Sequence, residues 1–407
     1  MIRHLMKPLW RQKGRNLLLS LEIALAFAVV FAIAATGLRY WQLYHQPVGF
    51  EWQDVWTVQL MMPDDDKPDD TTLYGRYERA LLELPEVESV AFAAYTPYEN
   101  SEWNTEFEVA DGSKRSVESN LMQVSDSFFD TMGMRIVEGR GFSAADEGAA
   151  HKPVLVNRRF AQEAFPGKSA IGQVVSPRQW GEAPGKEPQE QLKVVGVFDS
   201  FRNQGEFMAP KAFLFERFSP LAKGEGQPPM RAMLLKVRPG TTRLFESELS
   251  RRLKLVKNDA SYRIAPMREL RESMLRSSTT PLTVLAVIAG FLLAMVAFGL
   301  FGVLWQNTTR RIPELGLRRA TGATTGDIAR QIVLEQVLLS LLPIAAALLL
   351  LVQLPITGAL GEALSWPLFA GAALLSIATM VLVSVACALY PAWRATRISP
   401  TEALHYE

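Results

Sequence analysis

The sequence predicts a membrane protein that is α-helical, with four transmembrane helices, one before and three after a large α+β domain. Three observations predict this fold class. Apolar residues make up 48% of the 407 residues and concentrate near the two ends of the chain. The stretch between these ends alternates strand-like and helix-like patterns, which is typical of α+β or βαβ units. Lysine and arginine cluster beside the apolar stretches, as they do in cytoplasmic loops of membrane proteins.

Crossing a bilayer takes roughly 20 apolar residues, and four stretches are long enough: 17–38, 281–305, 333–356 and 367–390. Core helices of a soluble protein rarely run so long with so few charges. Glu22 is the only charged residue of the first stretch. It lies near the N-terminal end of that stretch, which favours snorkelling or a helix–helix contact over the alternative of a proton relay.

Basic residues predict on which side of the membrane each segment lies, because cytoplasmic loops carry an excess of lysine and arginine. They flank the spans at three places: Arg3, Lys7, Arg11, Lys13 and Arg15 before the first, Arg310, Arg311, Arg318, Arg319 and Arg330 after the second, and Arg394 and Arg397 after the fourth. The segment 1–16, the loop 306–332 and the tail 391–407 are therefore predicted to be cytoplasmic. Residues 39–280, here called the central domain, are predicted to lie outside.

The central domain contains strand and helix patterns in alternation. Residues 88–95, 152–157, 192–198 and 231–239 have the composition of strands, and residues 74–85, 156–165 and 242–256 have the periodicity of amphipathic helices. Two segments resemble each other, because in each a helix leads into a strand, at 85–92 and at 259–267. Each is predicted to be half of a split βαβ layer.

Little in the sequence predicts an enzyme, a metal site or a nucleic-acid partner. The histidines are scattered, at His4, His45, His151 and His405, and no motif of a metalloprotease or serine hydrolase occurs. The acidic run 63–70 lacks the glycine and the distal glutamate of a calcium loop, which favours a solvated loop. The only cysteine, Cys387, lies in the fourth span, so no disulfide is predicted. The net charge of +1 gives no drive toward nucleic acid.

Residues 165–172, FPGKSAIG, end like a phosphate-binding loop but fail its spacing. Such a loop needs a glycine five positions before the second glycine, so that backbone N–H groups can surround the phosphates. Gln162 stands at that position, and Pro166 removes an N–H donor. The sequence therefore predicts an ordinary turn after a helix.

The loop between the second and third spans, 307–336, has more pattern than a linker. Apolar residues alternate with arginines up to Gly322, which is predicted to end a short helix. Thr324 or Thr325 is predicted to start the next helix, with Asp327 in its first turn. We expect a short helix on the inner face of the membrane. The alternative is a basic anchor without a partner.

This loop resembles the FtsX/MacB family of ABC-transporter permeases. It matches the family signature at Arg311, Glu314, Leu315, Gly316, Arg319, Ala320, Gly322, Ala323, Ile328, Gln331 and Glu335. Pro313 and Thr321 are unusual at their positions. The tail resembles the family ending at Pro391, Ala392, Ala395, Pro400, Glu402, Ala403 and Leu404. Residues 124–146, 153–175 and 194–198 resemble a MacB-type periplasmic core domain, with a Porter-like part at about 45–129 and 229–275 and a Sabre-like part at about 130–228.

The resemblance implies a non-catalytic permease subunit of a bacterial inner membrane, with the central domain in the periplasm. It implies two copies of a separate cytoplasmic ATPase, which would hold ATP and Mg, a second permease copy or a homologous permease, and export of peptides, antibiotics or other periplasmic substrates. An adaptor and an outer-membrane channel are an option. The ATPase-coupling residues would be Arg310, Arg311, Glu314, Leu315, Gly316, Leu317, Arg318, Arg319, Gly322 and Ala323. A lipoprotein-releasing or hydrolase-regulating complex, and a sensor without an ATPase, are the alternatives.

Overall fold

The structure is a computed structural model that describes residues 13–61, 72–110, 115–178, 191–219 and 230–397. The chain forms two compact units. One unit, Leu43–Ser278, lies within the central domain, and the other, here called the membrane unit, combines Met1–Gln42 with Thr279–Glu407. The acidic run 63–70, weighed above as a calcium loop, lies outside the described residues.

The helices and strands follow one another along the chain. The first is α1 (Lys13–Tyr44). The central domain continues with β1 (Val55–Met61), α2 (Leu73–Leu82), β2 (Val87–Ala93), β3 (Asn104–Val109), β4 (Ser116–Val124), α3 (Phe128–Thr131), β5 (Ile136–Gly139), β6 (Lys152–Asn157), α4 (Arg158–Ala164), β7 (Val174–Arg178), β8 (Leu192–Phe198), β9 (Phe213–Arg217), β10 (Ala232–Val237), α5 (Leu244–Val256) and β11 (Ser261–Pro266). The last part contains α6 (Met267–Arg310), α7 (Ile312–Ala320), α8 (Thr325–Leu351), α9 (Gln353–Thr357) and α10 (Trp366–Arg397).

Four segments of the described residues are long and apolar enough to cross a membrane: Ser20–Tyr44, Met267–Arg310, Thr325–Thr357 and Trp366–Arg397. One precedes the strands and three follow them, which confirms the predicted fold class. Two of the helices, α1 and α6, contribute residues to both units. The segment and subregion boundaries given above stay predictions.

Four strands of the central domain form the layer that its sequence patterns predict. Their order is β11-β1-β10-β2, and each neighbouring pair is antiparallel. β1 therefore runs parallel to β2, and β10 runs parallel to β11. Helix α2 joins the first pair and α5 joins the second, so two split βαβ units interleave. This confirms the prediction made from the two similar helix–strand segments.

Helices α2 and α5 bury one face each, as their periodicity requires. Tyr77 and Leu81 are four residues apart on α2, and Leu249 and Leu253 are four apart on α5. All four are fully buried in one cluster together with Phe92 of β2. Residues at this spacing share one face of a helix, so the hydrophobic effect holds both helices against the layer.

The chain between β2 and β10 forms a second set of strands that closes on itself. Their order is β4-β3-β7-β8-β6-β9, and β9 pairs again with β4 in parallel, from Asn120 beside Phe213 to Val124 beside Arg217. Closing a sheet removes its free edges. Ala93 of β2 pairs with Val124 of β4 and links the closed strands to the four-stranded layer.

A cluster of phenylalanines packs on the face of β2 that α2 and α5 do not cover. Ala91 and Ala93 face this cluster, whereas Phe92 points the other way, because side chains alternate along a strand. Phe201 lies 4.9 Å from Phe213, measured between ring centroids, with the rings nearly perpendicular. Edge-to-face aromatic pairs of this kind add about 0.5–1.5 kcal/mol each to the burial of their area.

The segment FPGKSAIG is an ordinary turn, as predicted. Gly167 has a φ of +76°, the left-handed region that glycine adopts most readily. The N–H of Lys168 donates to the carbonyl oxygen of Phe165 at 3.1 Å, and the hydroxyl of Ser169 bonds the carboxylate of Glu138. These groups are engaged by the protein itself.

Apolar packing and a few polar contacts hold the helices of the membrane unit together. Phe27 of α1, Val296 of α6, Ile344 of α8 and Ala372 of α10 lie in one buried cluster. The hydroxyls of Ser340 and Ser384 bond each other at 2.9 Å between α8 and α10. Close helix packing through small residues and a few polar contacts is what holds helices together in lipid.

Candidate functional site

The loop between α6 and α8 contains the predicted short helix and its predicted stop. Helix α7 ends at Ala320, and Gly322 follows with a φ of +104°. The N–H of Ala323 donates to the carbonyl of Arg318 at 3.0 Å, and the N–H of Thr321 donates to that of Leu317. A left-handed glycine that returns N–H groups to the last carbonyls is a common way to end a helix.

Helix α8 begins with a capping box. The hydroxyl of Thr324 accepts a hydrogen bond from the N–H of Asp327 at 3.2 Å. The carboxylate of Asp327 in turn accepts from the N–H of Thr324 at 3.1 Å. Two N–H groups without helical partners are satisfied in this way. Of the two threonines that the sequence offered, the structure uses Thr324, and Asp327 lies in the first turn as predicted.

An ion pair fixes the start of α7 to α8. One nitrogen of the Arg311 guanidinium lies 2.9 Å and 3.0 Å from the two carboxylate oxygens of Glu335. Hydrogen bonds between two charged groups are stronger than those between neutral groups. Ile312 is buried next to this pair in the chain. The residue before the short helix is therefore attached to α8.

Another face of α7, away from the buried Ile312, is exposed. It carries two charged side chains and one apolar side chain. Glu314 and Arg318 form an ion pair of 2.8 Å at i,i+4 spacing, and each is about half exposed. Arg318 also donates to the side-chain oxygen of Gln331 at 2.8 Å. Leu317 lies between them in sequence and is 58% exposed. Residues at these spacings share a face, so an acid, a base and an aliphatic side chain are presented together.

The other residues predicted for coupling lie along the same loop. Arg310 is exposed at the end of α6, and Gly322 and Ala323 form the turn. Leu315, Gly316 and Arg319 lie within α7, where the structure describes their backbone.

Glu22 is not part of this loop. It is half-buried in α1, and its carboxylate forms no hydrogen bond with another side chain of the described residues. Within those residues, no group of three or more His, Cys, Asp or Glu side chains is arranged to hold a metal ion.

Sequence reasoning missed a stack of aromatic rings and arginines at the ends of α6 and α10. The rings of Trp305 and Tyr390 stack with centroids 6.0 Å apart. The guanidinium of Arg394 lies 4.4 Å from the Trp305 ring, and that of Arg397 lies 4.2 Å from the Trp393 ring. Trp305 and Tyr390 are the last residues of the predicted spans 281–305 and 367–390. The spacing of four residues between Trp393 and Arg397 along α10 is a signal that could have paired these two.

Comparison with known proteins finds two family models that match successive parts of the chain. A family model for the MacB-like periplasmic core domain matches residues 17–250, and one for the FtsX-like permease C-terminal domain matches residues 286–400. The chain belongs to the MacB/FtsX family of ABC-transporter permeases. The loop built by α7 lies within the part that matches the FtsX-like model.

Members of the MacB/FtsX family with curated names are similar along much of the chain. The "Macrolide export ATP-binding/permease protein MacB 1/2" of Paracoccus denitrificans is 25% identical over 70% of this chain and 42% of its own length. "MacB 1" of Aeromonas hydrophila is 26% identical over 80% and 49%. The "Uncharacterized ABC transporter permease YknZ" of Bacillus subtilis is 22% identical over 100% and 98%. The chain thus spans about half the length of these MacB relatives.

Among solved structures, the periplasmic region of MacB from Actinobacillus actinomycetemcomitans is 15% identical. The match covers 57% of this chain and 97% of that one, with a TM-score of 0.39.

Proposed function

We propose that the chain is the transmembrane subunit of a MacB-type ABC transporter and couples ATP hydrolysis in a separate ATPase subunit to a conformational change of the central domain. The observation that carries the proposal is α7, a short helix with one fixed end and one exposed charged face. Glu314, Leu317 and Arg318 form that face.

The way α7 is held supports a mechanical role. A helix that transmits force has to move as one body with the spans next to it. The Arg311–Glu335 ion pair joins α7 to α8, and the capping box stiffens the turn between them. A push on Leu317 would then displace α8 instead of bending a loose loop.

Charge supports the orientation that this role requires. The arginines of the loop 306–332 favour a cytoplasmic position of α7 by the positive-inside rule, together with both termini. The central domain would then lie in the periplasm of an inner-membrane protein. The partner ATPase would bind ATP and Mg in the cytoplasm, and a second permease would complete the assembly. The substrates would be peptides, antibiotics or other periplasmic compounds, and the names of two relatives, which specify macrolide export, support the antibiotic class.

The test is isolation of the tagged, full-length protein in mild detergent, with mass spectrometry of the proteins that accompany it. We expect an ATPase of the ABC type. Leu317→Glu and Glu314→Ala should lower its recovery several-fold, because they alter the exposed face without touching the Arg311–Glu335 pair.

The matched control is Glu163→Ala on α4. Glu163 also forms an exposed ion pair at i,i+4 spacing, with Arg159 at 2.8 Å. This variant should recover as much ATPase as the unmodified protein. Isolation without any ATPase would contradict the proposal.

A further inference from the structure

Arg202 is a buried charge held by backbone alone. It is 1% exposed, and it follows β8 in the loop between β8 and β9. Its guanidinium donates to backbone carbonyl oxygens, those of Pro47 at 3.2 Å, Leu43 at 3.1 Å, Glu206 at 3.0 Å, Met208 at 3.1 Å and Gln46. Arginine offers five N–H donors in a fixed plane, and few other side chains can satisfy so many acceptors at once.

Three of these acceptors lie at or just after the end of α1. Leu43 lies in the last turn of α1, which ends at Tyr44, and Gln46 and Pro47 follow within three residues of that end. The last carbonyls of a helix have no partners within it and carry its partial negative charge. Arg202 therefore caps α1 from the loop of the central domain.

Burial of the Arg202 charge is unfavourable in free energy, because the guanidinium loses its water. Desolvation lowers the pKa of the Arg202 guanidinium from its ordinary value. A buried cation without a bound carboxylate costs more than an apolar side chain of the same size. Arg202 fixes the position of the α1 end, because its N–H donors are satisfied only when the carbonyl groups of that end lie in this arrangement.

The same loop also holds the start of α6. Glu206 is 6% exposed, and its carboxylate accepts a hydrogen bond from Nε of Arg271 at 2.5 Å. Arg271 lies in the second turn of α6, and its guanidinium stacks 4.5 Å from the ring of Trp52. Met267, in the first turn, is fully buried in the phenylalanine cluster that contains Phe201.

Close packing and hydrogen bonds fix the loop between β8 and β9 to the rest of the central domain. Gly205 has a φ of +87°, and a Cβ there would lie 2.6 Å from the ring of Tyr98. The N–H of Tyr98 donates to the carbonyl of Asn203 at 2.6 Å. The side chain of Asn203 donates to the carbonyl of Ser101 at 3.0 Å. A displacement of this loop would therefore be passed to the residues around Tyr98 and to the phenylalanine cluster.

We propose that residues 201–208, here called the junction loop, are the joint through which movements of α1 and α6 enter the central domain. Arg202 is the positioning residue for α1, and the Glu206–Arg271 pair positions α6. These are the two helices that contribute residues to both units. The inference rests on the proposed coupling function and adds to it the residues that receive the movement.

The main test variant is Arg271→Gln, which removes the charge at α6 and leaves the apolar seat of Met267 intact. Arg271→Lys restores a cation. Glu206→Gln is a second, isosteric variant, which keeps the backbone contacts of the loop. Arg217→Gln is the control for a structural effect. Arg217 is more buried than Arg271, with 9% of its side chain exposed against 17%, and it pairs with Asp126 at 2.7 Å and Glu147 at 2.8 Å. None of these three residues lies on α1 or α6.

The measurement uses the full-length protein, with Cys387→Ser, in its complex with the co-purified ATPase. Spin labels at Leu244→Cys and Leu360→Cys, both on exposed side chains, report the distance between α5 and the loop before α10. That distance is recorded with ADP and after trapping with ATP and vanadate. The ATP hydrolysis rate is measured on the same samples.

We expect the unmodified complex to change its distance distribution between the two nucleotide states. Arg271→Gln and Glu206→Gln should lose this shift while they keep their rate of ATP hydrolysis, and Arg271→Lys should regain it. Arg217→Gln should lower the melting temperature and keep the shift.

Two results would contradict the inference, and they are distinguishable. A full shift in Arg271→Gln and Glu206→Gln overturns the role of the junction loop and leaves the proposed function standing. An unmodified complex that binds an ATPase but shows no shift overturns the proposed function, and the junction loop with it.

Discussion

At the scale of single residues, a few buried charges with specific partners stabilise the central domain. Asp146 is an example. Its carboxylate accepts hydrogen bonds from the guanidinium of Arg140, at 2.7 Å for one of them, and from the N–H of Ser143 at 2.9 Å. The bonds from Arg140, joined by that from Ser143, hold the pKa of Asp146 below its ordinary value.

A lowered carboxyl pKa gives this site a defined dependence of stability on pH. Because the folded-state pKa lies below the unfolded one, its stabilising effect is present above the unfolded pKa, about 3.9, and is lost as pH falls through the folded pKa. Asp146→Asn should therefore lower the free energy of unfolding by about 1–3 kcal/mol at pH 7. The difference from the unmodified protein should shrink below about pH 4.

Urea unfolding of the detergent-solubilised full chain, measured at pH 7 and again below about pH 4, checks this expectation. Asp199→Asn is the control, because Asp199 forms an ion pair with Arg158 in which both side chains are 58% exposed. Such pairs contribute roughly 0–1 kcal/mol. An Asp146→Asn effect of equal size at both pH values would contradict the account.

Arg202 and Glu206 show why the partners of single buried side chains cannot be predicted from sequence. A buried arginine that binds backbone carbonyls has no sequence pattern, since its partners at Leu43 and Gln46 are more than a hundred residues away. Arg311 and Glu335 were matched to a family signature, but nothing local indicated that they bond each other. Such pairs depend on how the helices pack, which the sequence alone does not specify.

At the scale of elements, local chemistry predicted most of what the structure contains. Strands β2, β6, β8 and β10 and helices α2, α4 and α5 lie where alternation and helical periodicity placed them. The stop at Gly322 and the start near Thr324 were also predicted, because caps act through residues only a few positions apart. The closure of β9 onto β4 was not, since their pairing joins residues about ninety positions apart.

The capping box of α8 yields a prediction at this scale. Thr324→Ala removes the hydroxyl that accepts from Asp327 and should destabilise the turn by about 1 kcal/mol. Amide hydrogen exchange in residues 321–328 should then accelerate about fivefold. Thr325→Ala is the matched control, because Thr325 is exposed in the first turn of α8 and is not the cap. Equal exchange rates in the two variants would contradict the role of the cap.

At the scale of the whole molecule, the fold class was predictable because long apolar spans and basic flanks are strong signals. Two interleaved βαβ units carry a closed set of strands as an insertion, and α1 and α6 contribute residues to both units. Because α1 and α6 have residues in both units, they are the helices through which the proposed coupling would act. In the proposed coupling, α7 would receive the movement of the ATPase, and α1 and α6 would pass it to the junction loop.

The central claim is that the exposed face of α7 contacts an ATPase, and site-specific photo-crosslinking tests it most directly. A photoreactive amino acid replaces Leu317 in one strain and Leu244 in another. Both side chains are exposed, at 58% and 85%, but Leu244 lies in the central domain. The account predicts a crosslink from position 317 to an ABC-type ATPase and none from position 244. Crosslinks to the ATPase from position 244 alone, or from neither position, would contradict it.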